Sequence, residues 1–493
     1  MTTRFSIATL AATMLAAVSL INCRASTPQE PAFELSGLFN NGMVLQRDMP
    51  IPVWGWAPSG QKVTARLNGR SASAVSANGK WILRLPAMKA GGPFTLSITG
   101  PVRVDLRDVW IGDVWLCTGQ SNMEFGVGNL ADAKQVIADA NHPGIHLFMV
   151  PHSIPMQPQA QVHGEWQACS PESIASGGWS GFSAVGYFFG RFLREHLHVP
   201  IGLIETSWGG TIAESWTSAE GLQLLPDFQG RLEKRQQMIA AGQNTHGDPN
   251  FVTVLYNGMI APLIPYGIKG AIWYQGESNT DRAYQYRKLL PALIADWRHR
   301  WGEGDFPFLI VQLAAFMHSH PQPSEDDWAE LREAQLMTAA SVPNCGLAVT
   351  SDIGNADDIH PKDKLDVGRR LGLAALAVAY HRKLYYSGPI YRSMTVKGSS
   401  IRLQFNHVDG GLVAQGGEPL TGFAIAGADR KFVWANAKIV GSTIIVSAAA
   451  VPDPVAVRYA WDANPVANLY NKAGLPASAF RTDDWPGHTF NRK

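Results

Sequence analysis

The sequence predicts a mixed α/β protein in which a mainly parallel sheet covered by helices is flanked on both sides by β-rich regions. Two patterns support this. Between about residues 108 and 386, short β-type runs alternate with long helical stretches, as βα repeats require. On either side the helical stretches stop, and β-type runs follow one another between Gly, Pro and Asn turns. The length of 493 residues agrees, since a prior of about 150 residues per domain gives roughly three units.

The first element lies outside the fold. Arg4 precedes an apolar stretch from Phe5 to Ile21, so residues 1–25 read as a secretory signal, too short in its apolar part for a membrane span. The run Leu20-Ile-Asn-Cys23 resembles a bacterial lipobox and makes Cys23 a candidate lipid anchor, although Asn22 stands where that pattern has a small residue. A signal of this kind, with no N-x-[ST] acceptor anywhere, points to the bacterial periplasm or the exterior.

Residues 33–107 contain β-type runs at 44–46, 51–56, 62–67, 81–85 and 94–98 and predict an N-terminal β-sandwich region. Residues 108–386 follow, with strands at 201–204, 270–274 and 308–312 and helices at 184–197, 283–301, 330–340 and 364–380. Residues 387–493 return to a β pattern at 401–405, 422–425 and 443–446.

Composition narrows the function classes. The whole chain carries 41 basic and 40 acidic residues; without residues 1–25, which hold Arg4 and Arg24, the tally is 39 and 40. Near-neutrality gives no electrostatic case for nucleic acid or an anionic membrane as partner. Beyond the signal only Cys117, Cys169 and Cys345 remain, which is neither a disulfide framework nor a C-x-x-C metal pattern. In an oxidising compartment Cys169 and Cys345 are candidates for a bridge.

Four segments in the central region place polar residues at strand ends. Gly119-Gln-Ser-Asn-Met123 puts the Ser121 hydroxyl on a glycine turn just past an apolar run, where α/β sheets bind ligands. It departs from the G-x-S-x-G elbow at Met123. Trp208-Gly-Gly-Thr211 offers backbone N–H groups that can approach an oxyanion closely. Trp273-Tyr-Gln-Gly-Glu-Ser-Asn279 supplies the Gln275 amide as a donor and Glu277 as a carboxylate. The segment 352–364 supplies His360 with Asp357 three residues before it and Asp358 two before it, which suits a base held in one tautomer by an acid. No second histidine lies near His360 and there is no H-E-x-x-H pattern, so neither metal nor organic cofactor is expected.

Together the blocks G-Q-S-N-M-E at Gly119, W-G-G-T at Trp208, W-Y-Q-G-E-S-N at Trp273 and D-I-H-P-x-x-K at Asp358 resemble the sialate O-acetylesterase-type carbohydrate esterases, a branch of the SGNH hydrolases. The resemblance implies a three-layer α/β/α catalytic domain and a serine esterase that removes O-acetyl groups from sugars through an acetyl-serine intermediate. It implies Ser121 as nucleophile, His360 as base, and Asp357 as the third member, with Asp358 and Glu277 as alternatives. It assigns the oxyanion hole to the N–H groups of Ser121 and Gly210 and to Gln275, which stands where the wider superfamily has asparagine. Trp208, Trp273, Tyr274 and Asn122 are then candidates for contact with the sugar. A sialate-specific site is expected to offer an arginine to the substrate carboxylate, with Arg282, Arg287 and Arg332 as candidates. Acetylated xylan or xyloglucan fragments need only aromatic platforms and neutral donors. A reading of another class is a non-catalytic carbohydrate-binding envelope protein.

Overall fold

The computed structural model describes residues 1–2, 31–417 and 419–493; the expected signal, Cys23 included, lies outside the described residues apart from its first two. The centre is one path of strands in the order Gln167–Cys169, His142–Met149, Ile201–Ser207, Arg103–Gly119, Gly270–Tyr274, Phe308–Val311 and Cys345–Ala348. All neighbours on this path run parallel except the first pair. The strands Ile201–Ser207, Gly270–Tyr274 and Phe308–Val311 are buried at every position. Such burial on both sides is why they read as continuous apolar runs.

The covering helices lie on both faces, as register shows. Cys117 aligns with Ile272, whereas Trp273 aligns with Thr118, one residue out of phase. Cys117 and Trp273 therefore point to opposite sides of the sheet. The Cys117 thiol abuts Gly186 of the helix Ala184–Leu197, and Trp273 packs edge-on against Trp297 of the helix Ala283–Trp301, with ring centroids 5.9 Å apart. The helix expected at 330–340 begins earlier, at Asp327, because Asp326 caps it by accepting the Ala329 N–H.

The N-terminal β region is not separated from this sheet by a linker. The strand Arg103–Gly119 pairs over its first half with Gly91–Thr99 and Val44–Gln46, and over its second half with Ile201–Ser207 and Gly270–Tyr274. The boundary expected at 107/108 thus falls inside a single strand. Asp113 in that strand is buried and accepts from Arg47 Nε and Nη2 at 2.8 Å each and from Tyr380 Oη at 3.0 Å.

The C-terminal region has a hydrophobic core of its own, including Leu403, Phe423, Ile444, Tyr459 and Phe480, between two four-stranded sheets. Arg332 joins it to the central α/β region. Its fully buried guanidinium donates to the carbonyls of Leu313, Ala314, Asp462 and Ala463 at 2.7–2.8 Å. The bridge for which Cys169 and Cys345 are candidates does not form: both are free cysteines, on strands at opposite edges of the path.

Replacing Arg332 by Met keeps the apolar stem but strands those carbonyls, and it should lower stability by about 3–5 kcal/mol, read as a fall in the urea midpoint.

Candidate active site

Backbone geometry brings the predicted segments to one place. Gly119, Ser207 and Tyr274 end three adjacent parallel strands in register. Gly119 has φ +139°, and a Cβ there would sit 2.1 Å from the Tyr274 carbonyl oxygen, so glycine is required by both dihedral and space. The turn releases Ser121 as the first residue of a short helix, Ser121–Glu124, partly exposed and with its N–H unpaired among the described residues. Gln120 ties this block to the third segment by accepting the N–H groups of Gly276 and Ser278, each at 3.3 Å.

Asn122 is buried and joins the remaining segments. Its Nδ2 donates to Glu277 Oε1 at 2.7 Å and to the Ile359 carbonyl at 3.0 Å, while its Oδ1 accepts from Lys364 Nζ at 2.5 Å. An ammonium only donates and a carbonyl only accepts, which fixes the orientation of the amide. The expectation that Asn122 faces the sugar is therefore corrected, because all three of these atoms' bonds point inward. Burial pushes Lys364 down to about 7, and burial pushes Glu277 up against the pull of Asn122 and Lys364.

His360 follows Ile359 directly and is partly buried, with its ring 4.9 Å from Trp179 and 6.4 Å from Phe125. Its Nε2 is enclosed and has no hydrogen-bond partner among the described residues. Burial, and then the charge of Lys364, hold its pKa below the usual imidazole value against the opposing pull of Asp358. The carboxylate beside Nδ1 is Asp358, at 3.7 Å, and the same carboxylate accepts the His360 backbone N–H at 2.9 Å. Asp357 does not reach the ring. Its side chain is 81% exposed and lies 3.6 Å from the His318 ring nitrogen Nε2. Glu277 is committed to Asn122.

The expected oxyanion donors divide. Gly210 is exposed, has φ +72°, and its N–H is unpaired among the described residues. The neighbouring Gly209 N–H is taken by Glu124 Oε2 at 2.5 Å. Gln275 is corrected: its Nε2 donates to the Thr211 carbonyl and to Asn279 Oδ1, and its Oε1 accepts from Tyr286, so both amide hydrogens are spent inside the protein. Trp273 and Tyr274 are fully buried and belong to the core rather than to a sugar platform. Trp208 is half-buried and stacks on His152, with centroids 3.9 Å apart and planes within 5°.

At Glu124, three residues beyond Ser121, opens a cavity of about 380 Å³ whose other walls include His152, Glu205 and Ser207. None of these was assigned a role from sequence. Glu124 stood in the block at Gly119, and Glu205 and Ser207 lead into the Trp208 block, but His152 sits in an unpatterned loop. Burial pushes Glu205 up to about 8. Burial opposes the charged form of His152, yet the hydrogen bond that it donates to Glu124, and the charge of that carboxylate, leave the pKa raised overall. The three candidate arginines lie elsewhere: Arg282 pairs with Glu214, Arg287 with Glu333, and Arg332 holds backbone carbonyls. The described imidazole and carboxylate groups close enough to share an ion are His320, Asp326 and Asp462, which include none of the site residues.

The chain resembles known proteins along most of its length. The family model described as carbohydrate esterase, sialic acid-specific acetylesterase, matches residues 111–377. Sialate O-acetylesterases of Pongo abelii and Homo sapiens are each 32% identical over 93% of this chain and 95% of their own. A crystal structure of a carbohydrate acetylesterase from Xanthomonas citri is 42% identical, with a TM-score of 0.83, covering 92% of this chain and all of the other.

Two measurements test the site geometry. Asp358→Asn should lower kcat/KM for 4-nitrophenyl acetate by about 10²-fold or more, whereas Asp357→Asn should leave it within about threefold. A base must be neutral to act, so the depressed pKa of His360 puts the acid limb of the kcat/KM profile below the ordinary imidazole value of about 6.5. Lys364→Met removes the neighbouring charge that disfavours protonation of His360, and should move that limb to higher pH.

Proposed function

Because the chain belongs to the sialic acid-specific acetylesterase family of carbohydrate esterases, and is thus a carboxylic ester hydrolase that removes O-acetyl groups from sugars, we propose that it does so through an acetyl-serine intermediate on Ser121. The observation that carries this reading is the convergence of a partly exposed Ser121 at a helix N-terminus with a His360 whose Nε2 has no partner within the protein.

Ser121 Oγ attacks the acetyl carbonyl while His360 Nε2 takes its proton, and the sugar hydroxyl leaves with that proton. Asp358 holds the Nδ1 side of the ring and stabilises the imidazolium. The N–H groups of Ser121 and Gly210 receive the negative charge that develops on the carbonyl oxygen, each worth on the order of 3 kcal/mol in the transition state. Water, deprotonated by His360, then cleaves the acetyl-enzyme and restores the serine. The α/β region with helices on both sheet faces fits an SGNH-type catalytic domain, and the N-terminal segment fits an exported bacterial protein, anchored at Cys23 if the lipobox is used.

The acetylated unit is a sugar that needs no guanidinium beside the scissile ester. Arg282, Arg287 and Arg332 are engaged elsewhere, and the charged side chain that closes on the Gly209 turn beside Ser121 is the carboxylate of Glu124. This favours neutral acetylated glycan units, such as those of xylan or xyloglucan, over a sialate held through its carboxylate in the crevice.

Ser121→Ala should reduce acetate release by about 10⁴-fold or more. Rapid-quench intact mass should detect an acetylated parent enzyme and no acetylated variant; near-parental turnover by the variant would remove Ser121 from the reaction.

A further inference from the structure

A second cavity, of about 330 Å³, lies where the segment 323–325 meets the C-terminal β region, and no step of ester hydrolysis uses it. Its walls combine Arg430, Lys431, Trp434 and Trp461 with Arg458 and Glu325. We propose that this cavity binds a carboxylate-bearing sugar unit, as an accessory glycan site separate from the ester-cleaving crevice.

Three features support it. The first is an aromatic platform. Trp434 is 45% exposed, and its Nε1 donates to the Pro321 carbonyl at 3.0 Å, which fixes the ring while leaving a face open. A sugar ring presents C–H groups to such a face. The second is rigidity behind the platform. The Arg458 guanidinium lies 4.3 Å from the Phe432 centroid and 5.1 Å from that of Trp461, and is held by Asp483 at 3.0 Å and Glu325 at 2.7 Å. Its charge is met by these acids, so it acts as a wall rather than as a free ligand.

The third is charge. Neither Arg430 nor Lys431 forms an ion pair among the described residues, and the Arg430 guanidinium rests over the Trp485 ring at 5.2 Å. Two uncompensated cations beside an open indole suit a ring that carries a carboxylate. Neutral sugars would use the platform but leave both charges unmatched.

The cavity is connected to the catalytic loops. The chain preceding it donates the Met317 N–H to the Ala356 carbonyl, next to Asp357, and the His320 N–H to Asp462 Oδ2. The chain from Met317 to Glu325 thus touches the loop that carries Asp357 at one end and lines the accessory cavity at the other.

The test is isothermal titration of the full chain with methyl β-D-glucuronide, methyl β-D-glucoside and sodium acetate, none of which is a substrate. The glucuronide should bind at least about tenfold more tightly than the glucoside, with acetate alone weaker than either. The double variant Arg430→Ala/Lys431→Ala should weaken the glucuronide at least about fivefold and leave the glucoside unchanged, whereas Trp434→Ala should weaken both. None of these variants should alter 4-nitrophenyl acetate turnover, which also reports that they fold. Equal affinity for the two glycosides, absence of saturable binding, or glucuronide binding unaffected by the double variant would overturn the proposal. A loss of turnover in Ser121→Ala or its absence bears on the hydrolytic reading alone.

Discussion

The side-chain amide of Asn122 is the joint on which the site depends. Three segments that are far apart in sequence end at it: its own, beyond the strand Arg103–Gly119; Glu277, beyond Gly270–Tyr274; and the Ile359–Lys364 stretch that carries His360. Ser121 is one residue from Asn122, and His360 is one residue from Ile359. The spacing of Ser121 and His360 is thereby set by a single buried group whose three hydrogen bonds are all satisfied. An amide suits this place because it offers donors and an acceptor without itself titrating.

That joint is built from groups that are costly to bury as ions. Lys364 and Glu277 both shift toward their neutral forms, so the network limits the charge it holds in the interior. The charge Lys364 retains below its pKa of about 7 faces His360 and disfavours imidazolium, which favours the neutral ring. The scaffold supplies the rest of the rigidity. A strand shared between the N-terminal β region and the parallel sheet delivers Gly119, and the tight approach of Gly119 to Tyr274 sets the level at which Ser121 emerges.

The mixed α/β class and the positions of the main helices were legible because helices carry an apolar stripe while strands buried on both faces read as short continuous apolar runs. That Ser121, His360 and the Gly210 turn stand beyond the ends of strands was legible because each lies in a short polar block that follows an apolar run. Other features depend on information that local sequence does not hold. Asp357 and Asp358 differ by one position in an irregular loop, and the backbone turn, closed by the bond from the His360 N–H to Asp358, decides which carboxylate meets the ring. Gln275 was a sound donor by chemistry, but its partners Thr211, Asn279 and Tyr286 come from distant segments. Trp273 and Tyr274 close a strand covered on both faces, where an aromatic side chain looks the same in sequence whether it faces ligand or core. The 107/108 boundary failed because one strand serves two pairing environments and the composition changes along it while the backbone continues.

The most direct test of this account is kcat/KM for 4-nitrophenyl acetate in Asn122→Ala, measured with near-ultraviolet circular dichroism to establish that the fold persists. If Asn122 sets the spacing of Ser121 and His360, its loss should lower kcat/KM by about 10²-fold or more with the spectrum retained, the penalty expected for misplacing reacting groups by about an ångström. Turnover within about threefold of the parent would contradict the claim that this amide holds the site together.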